Sequence, residues 1–235
     1  PQREPDQRRL LRSLMNLRPP APLSPEFLAV QDQLLSAERS EKGIIDADTI
    51  PELPGHPGIA LWQGDITRLR CDAIVNAANS ALLGCFQPCH GCIDNAIHSA
   101  AGLQLREACN QIMLRQGHPE PPGRAKLTEG YNLSARYVLH TVGPIIQGRV
   151  TARDRDLLAS CYRSCLSLAT EHQLGTVAFC CISTGEFHFP NGEAAEIAIA
   201  AVTSFLRSET SIRKVIFNVF KDEDAQLYTQ LLRAD

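Results

Sequence analysis

Between Gly84 and His98 the chain reads GCFQPCHGCIDNAIH, which crowds Cys85, Cys89, His90 and Cys92 into one short segment. Thiolate and imidazole are preferred ligands of Zn²⁺, at ~2.0–2.3 Å in a tetrahedral shell. Pro88 and Gly91 interrupt regular structure between them, so a tight loop can turn several of these side chains inward. A structural zinc site usually joins two separated ligand pairs, and no second pair of this kind follows later in the chain. Cys89 and His90 are neighbours, and adjacent side chains on a strained loop rarely reach the same tetrahedral ion. The expected ligands are therefore Cys85, His90 and Cys92, with Cys89 spare. Three protein ligands with a fourth position open describe a catalytic zinc, not a structural one. The plainer alternative treats these cysteines as small loop hydrophobes. Four zinc-type residues in so short a span argue against it.

The elements that must position this loop can be read from the alternation of apolar runs. From Pro57 onward, short apolar stretches alternate with amphipathic helical patterns. Strands are expected at 58–66, 72–79, 125–131, 136–142, 176–183 and 213–220, each ending in a polar turn. Helices are expected over 96–116, with a break at Gly102, and over 153–172, 191–206 and 222–232. Leu157, Leu158, Cys161, Cys165 and Leu168 share one face of the second of these, which makes Cys161 and Cys165 core residues. Such alternation predicts an α/β layered sheet with helices on both faces. Ligands of these sheets bind outside the carboxyl ends of the strands. Gly64–Asp65, Asn76–Asn79, Ser183–Gly185 and Asn218–Lys221 all fall at such ends, and the cysteine loop follows the second strand directly.

Residues 1–50 differ in composition. Leu10, Leu11, Leu14 and Leu17 recur at helical spacing before Pro19–Pro20, and Ser24–Pro25 starts a second helical stripe that closes at Gly43. We read 1–50 as a helical extension docked on a main domain spanning 51–235. The net charge of −3 over 235 residues offers no basic field for nucleic acid. Nine cysteines, an odd count with Cys180 and Cys181 adjacent, suit reduced thiols better than a disulfide framework. No apolar run approaches the ~20 residues of a membrane span, and PQREPDQRRLLRS lacks the apolar stretch of a secretory signal. The expectation is a cytoplasmic, monomeric protein.

Taken together, GDIT (64–67), NAANS (76–80), IDNAIH (93–98), HTVGP (140–144), STGEFHFP (183–190) and FKDED (220–224) resemble the macrodomain family, over roughly residues 57–235. The resemblance implies a three-layer α/β/α macrodomain with a mixed, mostly parallel central sheet. Hydrolytic macrodomains usually carry a run of glycines after the NAAN turn. CFQPCHGC stands in that place here, which is similar to the zinc-dependent subfamily of bacteria and fungi. That likeness implies a Zn²⁺-dependent hydrolase removing mono-ADP-ribose from modified proteins by cleavage at the anomeric carbon of the distal ribose, with ADP-ribose as product.

Carried over by position, Asp65 accepts from the adenine amino group beside the Ile66 backbone. Asn76 and Asn79 are the paired asparagines, with Asn79 on the distal ribose. Ser183, Thr184, Gly185, Glu186 and Phe187 form the diphosphate loop, and Phe220 stacks on adenine. Asn79 and Asp94 are the catalytic pair, with Asp94 expected to stay ionised at its helix N-terminus. His98 and His140 read as interior histidines. Two rival functions share the pocket: a reader that binds ADP-ribosylated proteins without cleavage, and an esterase acting on O-acetyl-ADP-ribose.

Overall fold

The computed structural model describes residues 3–208 and 210–233. In chain order the elements are α1 (Glu4–Leu17), α2 (Pro25–Lys42), β1 (Ile45–Asp46), β2 (Glu52–Leu53), β3 (His56–Gln63), β4 (Leu69–Arg70) and β5 (Ala73–Ala77). They continue with α3 (Ile93–Ala101), α4 (Leu103–Gln116), β6 (Ala125–Glu129), β7 (Tyr137–Thr141), α5 (Ala152–Glu171), β8 (Thr176–Phe179), α6 (Asn191–Leu206), β9 (Lys214–Val219) and α7 (Asp222–Leu231).

Seven strands form one sheet in the order β2-β3-β9-β8-β5-β7-β6. The run from β3 to β7 is parallel, and both edge strands pair antiparallel. Strands covered on both faces read as continuous apolar runs, and Ile74, Val75, Val177, Ala178, Val215 and Ile216 are all at or near zero exposure. Crossovers are right-handed. The path from β5 to β7 moves one way along the sheet, whereas β7 to β8 and β8 to β9 move the other way. The helices α3 and α4 therefore cover one face and α5 and α6 the opposite one, which makes three layers, as expected. Among the described residues, no helix is long and apolar enough to cross a membrane.

Local chemistry explains where elements start and stop. Ser24 caps α2, its hydroxyl accepting from the Phe27 N–H, with Pro25 at the first helical position. Gly102, at φ +99°, separates α3 from α4, because an L side chain there would be strained. All six expected strands are shorter than the runs suggested, and two of them show why. β8 stops at Phe179, although Cys180 and Ile182 remain buried, and β3 gives way to a 3-10 turn over 66–68 that Asp65 caps. The short strands β1, β2 and β4 carry no periodicity to read.

Candidate active site

The carboxyl ends of β3, β5, β7, β8 and β9 point the same way, and the turns that follow them converge. Gly64 after β3 is held by its N–H to the Val219 carbonyl (2.9 Å) and by Asn218 Nδ2 donating to its own carbonyl (2.9 Å). Asp65 Oδ1 accepts from the Thr67 N–H and hydroxyl (3.0 and 2.7 Å), so the turn leaves Ile66 buried beneath it. Phe220, just past β9, is 74% exposed. An aromatic ring left so open at a strand end has no folding reason to be there.

The segment after β8 is shaped for an anion. Ser183 and His188 adopt positive φ (64° and 56°). The backbone closes on itself through His188 N–H to Gly185 (3.0 Å) and Phe189 N–H to Ser183 (2.9 Å). Among the described residues, the N–H groups of Thr184, Gly185, Glu186 and Phe187 donate to nothing in the protein. Consecutive free N–H groups around a turn make a concave positive surface that suits phosphate oxygens. The cradle is braced from beneath by the turn after β7. Gly143 lies so close to Ser183 that a Cβ would collide with its Oγ, and Ile146 N–H donates to the Phe187 carbonyl (2.9 Å).

At the β5 end, Asn76 is fully buried; its Nδ2 donates to Asp94 Oδ1 (2.8 Å) and lies 3.2 Å from His140 Nδ1. Asn79 donates to the Gly84 carbonyl (3.1 Å) and toward Asp94 Oδ2 (3.4 Å), while its Oδ1 accepts from the Ala81 N–H (3.0 Å). The two asparagines thus meet on one carboxyl group, which sits in the first turn of α3 at 5% exposure. A helix N-terminus favours the anion, but burial acts the other way and is larger. It lifts the Asp94 carboxyl to about 6, against the lowering effects of the Asn76 hydrogen bond and the Arg106 charge. The helix N-terminus predicts an ionised Asp94, and burial narrows that margin without reversing it at neutral pH.

Cys85, His90 and Cys92 come together beside this carboxyl. Their ligating atoms lie within 4.8 Å of one another, with Cys85 Sγ 3.7 Å from His90 Nδ1. A tetrahedral shell with bonds of ~2.0–2.3 Å separates its ligand atoms by about 3.3–3.8 Å, so the donor set suits Zn²⁺ in type, and the Cys85–His90 separation matches such a shell. Burial first, and then the neighbouring Cys85 sulfur, raises the Cys92 thiol to about 12, so a bound cation must displace its proton. Cys89 turns away, with its thiol 3.4 Å from the Arg9 carbonyl and 3.3 Å from Ser13 Oγ. Glu186 of the anion cradle reaches back to within 3.5 Å of His90 Nε2.

His98, Cys109 and His140 form a second, fully buried group of donor atoms. His140 nitrogens already face Asn76 and Thr128 (3.2 and 2.9 Å), and burial holds His140 down at about 3 and His98 well below the usual imidazole range.

Arg106, which sequence reasoning did not single out, is also buried here. Its guanidinium donates to the Leu83 carbonyl (2.7 Å) and to carbonyls at the end of α1, and lies 4.3 Å from the Phe86 ring centroid. Helical spacing places Arg106 on the buried face of α4 with Leu103 and Cys109, but gives no sign of its carbonyl partners on α1.

A seven-stranded sheet between two helical layers, with free backbone N–H groups and a buried asparagine–carboxylate cluster at its strand ends, is an α/β domain whose ligand end lies at the carboxyl ends of its parallel strands. A family model, the Macro domain, matches residues 75–198. A protein-ADP-ribose hydrolase of Treponema medium is 53% identical over 234 residues, covering 99% of this chain and 90% of the relative. The Trypanosoma brucei macrodomain, solved in complex with ADP-ribose, is 33% identical with a TM-score of 0.73 and 94% of each chain covered. The Oceanobacillus iheyensis macrodomain with ADP is 34% identical with a TM-score of 0.69, covering 77% of this chain and 92% of that one. The chain belongs to the macrodomain family.

Proposed function

We propose that the protein is a protein-ADP-ribose hydrolase that requires Zn²⁺ held by Cys85, His90 and Cys92, and that it frees mono-ADP-ribose from modified proteins at the anomeric carbon of the distal ribose. The observation that carries this reading is the placement of the three-donor cluster beside Asp94 and Asn79. A relative named for this hydrolase activity at 53% identity supports it.

Each residue has a task that follows from its position. Phe220 offers an open aromatic face for adenine stacking, and Asp65 accepts from the adenine amino group above the buried Ile66. The free N–H groups of Thr184 to Phe187 hold the diphosphate, and Phe187, half-buried against the core, closes over it. This fixes the distal ribose at the β5 end. Asn76 orients the Asp94 carboxyl from beneath. Asn79 has its amide between Asp94 and the Gly84 carbonyl, where it can turn toward a ribose hydroxyl. Asp94 takes up the proton that the attacking water gives up, or in its protonated form delivers one to the departing group. The zinc ion, when bound, supplies Lewis acidity next to the ribose.

The test is release of ADP-ribose from a mono-ADP-ribosylated protein, before and after chelation and again after Zn²⁺ is restored. Loss on chelation with recovery on zinc addition is expected. Undiminished release after complete metal removal refutes the zinc requirement. Tight ADP-ribose binding without release from any linkage leaves a reader, and release confined to O-acetyl-ADP-ribose leaves an esterase.

A further inference from the structure

The loop that carries the three donors is poorly supported by its own backbone. Between Leu83 and Gly91 the backbone bond that closes is His90 N–H to the Gln87 carbonyl (3.2 Å), and Cys89 takes the left-handed φ of 50°. What holds the loop instead comes from helix α1. Asn16, at 2% exposure, accepts through Oδ1 from the Cys89 N–H (2.8 Å), and its Nδ2 donates to Ser99 Oγ on α3 (3.0 Å). Arg12 donates to the His90 carbonyl (3.4 Å) and, with two nitrogens, to Asn95 Oδ1 (2.7 and 3.2 Å). The outer ends of the Cys89–His90 pair, its leading N–H and trailing C=O, are therefore both gripped by one helix. Asn95 Nδ2 extends the grip to the Gln87 carbonyl (2.9 Å). Arg106 fixes the helix in turn, donating to the carbonyls of Met15 and Asn16 (3.0 Å each) and Arg18 (2.5 Å), and to Leu83 just before the loop.

We infer that Asn16 and Arg12 on α1 are positioning residues for the metal centre, holding the Cys89–His90 backbone so that His90 faces Cys85 and Cys92. The first helix is thus part of the site's outer shell and not merely a packing element. This rests on the zinc reading above. Neither residue touches the region where adenine, diphosphate or ribose is placed, so the effect falls on metal retention and not on nucleotide binding. Outer-shell partners of metal ligands typically contribute 10–100-fold to metal affinity.

The experiment compares the full chain with Asn16→Ala and Arg12→Ala. Zinc affinity is read by competition with a chromophoric chelator, ADP-ribose affinity of the metal-free protein by calorimetry, and folding by thermal melting. Asn16→Ala is expected to weaken zinc about 10–100-fold and Arg12→Ala to weaken it less, with ADP-ribose affinity within twofold of the parent. Arg12 is only partly buried, so its variant remains informative if Asn16→Ala folds poorly. Zinc affinity unchanged in a folded Asn16→Ala or, where that variant does not fold, in Arg12→Ala overturns the inference alone. So does a parallel loss of zinc and ADP-ribose binding, which makes α1 a general stabiliser. A parent chain that takes up no zinc overturns both the inference and the zinc reading beneath it.

Discussion

Replacing Phe220 with alanine separates binding from folding more cleanly than any other change at this site. The side chain is 74% exposed, so the fold buries only about a quarter of it. Burying a whole Phe contributes roughly 1.5–3 kcal/mol, so a quarter amounts to about 0.4–0.8 kcal/mol and a small shift in melting temperature. In the complex the ring is expected to stack on adenine, and base–aromatic stacking is worth about 1–3 kcal/mol by alanine substitution. That converts to a loss of about 5- to 150-fold in ADP-ribose affinity. Titration calorimetry with free ADP-ribose reads the affinity, and a urea titration reads the stability. Phe220→Leu should recover little, since it restores apolar area but not a π face. Unchanged affinity in Phe220→Ala, or a stability loss as large as the affinity loss, refutes the assignment of the adenine end to the β9 terminus.

Three further outcomes are expected. His90→Ala should abolish ADP-ribose release and zinc retention while changing ADP-ribose affinity by no more than a few fold, because the cradle and Phe220 lie on other strands; calorimetry showing equal loss of nucleotide binding contradicts this. Gly143→Ala pushes a methyl group into Ser183 Oγ, so it should cost about 1–3 kcal/mol in urea unfolding and weaken ADP-ribose by deforming the cradle. Burial holds His140 at about 3, whereas the unfolded imidazole titrates near ~6.5. The unfolded chain therefore binds the extra proton below pH ~6.5, and this group's contribution to stability is lost as pH falls, by roughly 2 kcal/mol between pH 7 and 5. Asp94, raised to about 6, works in the opposite sense over part of that range, so the check is a difference. His140→Gln should lose less stability than the parent on acidification from pH 7 to 5, and equal slopes contradict the assignment.

Much of the architecture was legible in the chain because it depends on local periodicity. α6 spans the residues its Ala-rich pattern marked, Gly102 breaks the α3–α4 run, and Cys161 and Cys165 lie in the core. The cysteine loop and the polar strand ends were legible too, since ligand type and turn chemistry are properties of a few neighbouring residues. What periodicity could not supply is any relation between distant segments. The capping of the Cys89 N–H by Asn16 spans more than seventy positions, and the carbonyls that Arg106 reaches at the end of α1 are about ninety positions away.

The perturbation of Asp94 shows the division most directly. Its place at a helix start was readable from the sequence, and that place alone favours the anion. Only packing decided that the carboxyl is buried under Asn76 and Asn79, and desolvation scales with enclosure by the whole fold rather than with position on one helix. The sequence by itself determined which donors and turns the protein possesses. The tertiary structure decided which of them meet, because bringing them together requires the sheet to align five strand ends along one edge and to seat an N-terminal helix against the loop that follows one of them.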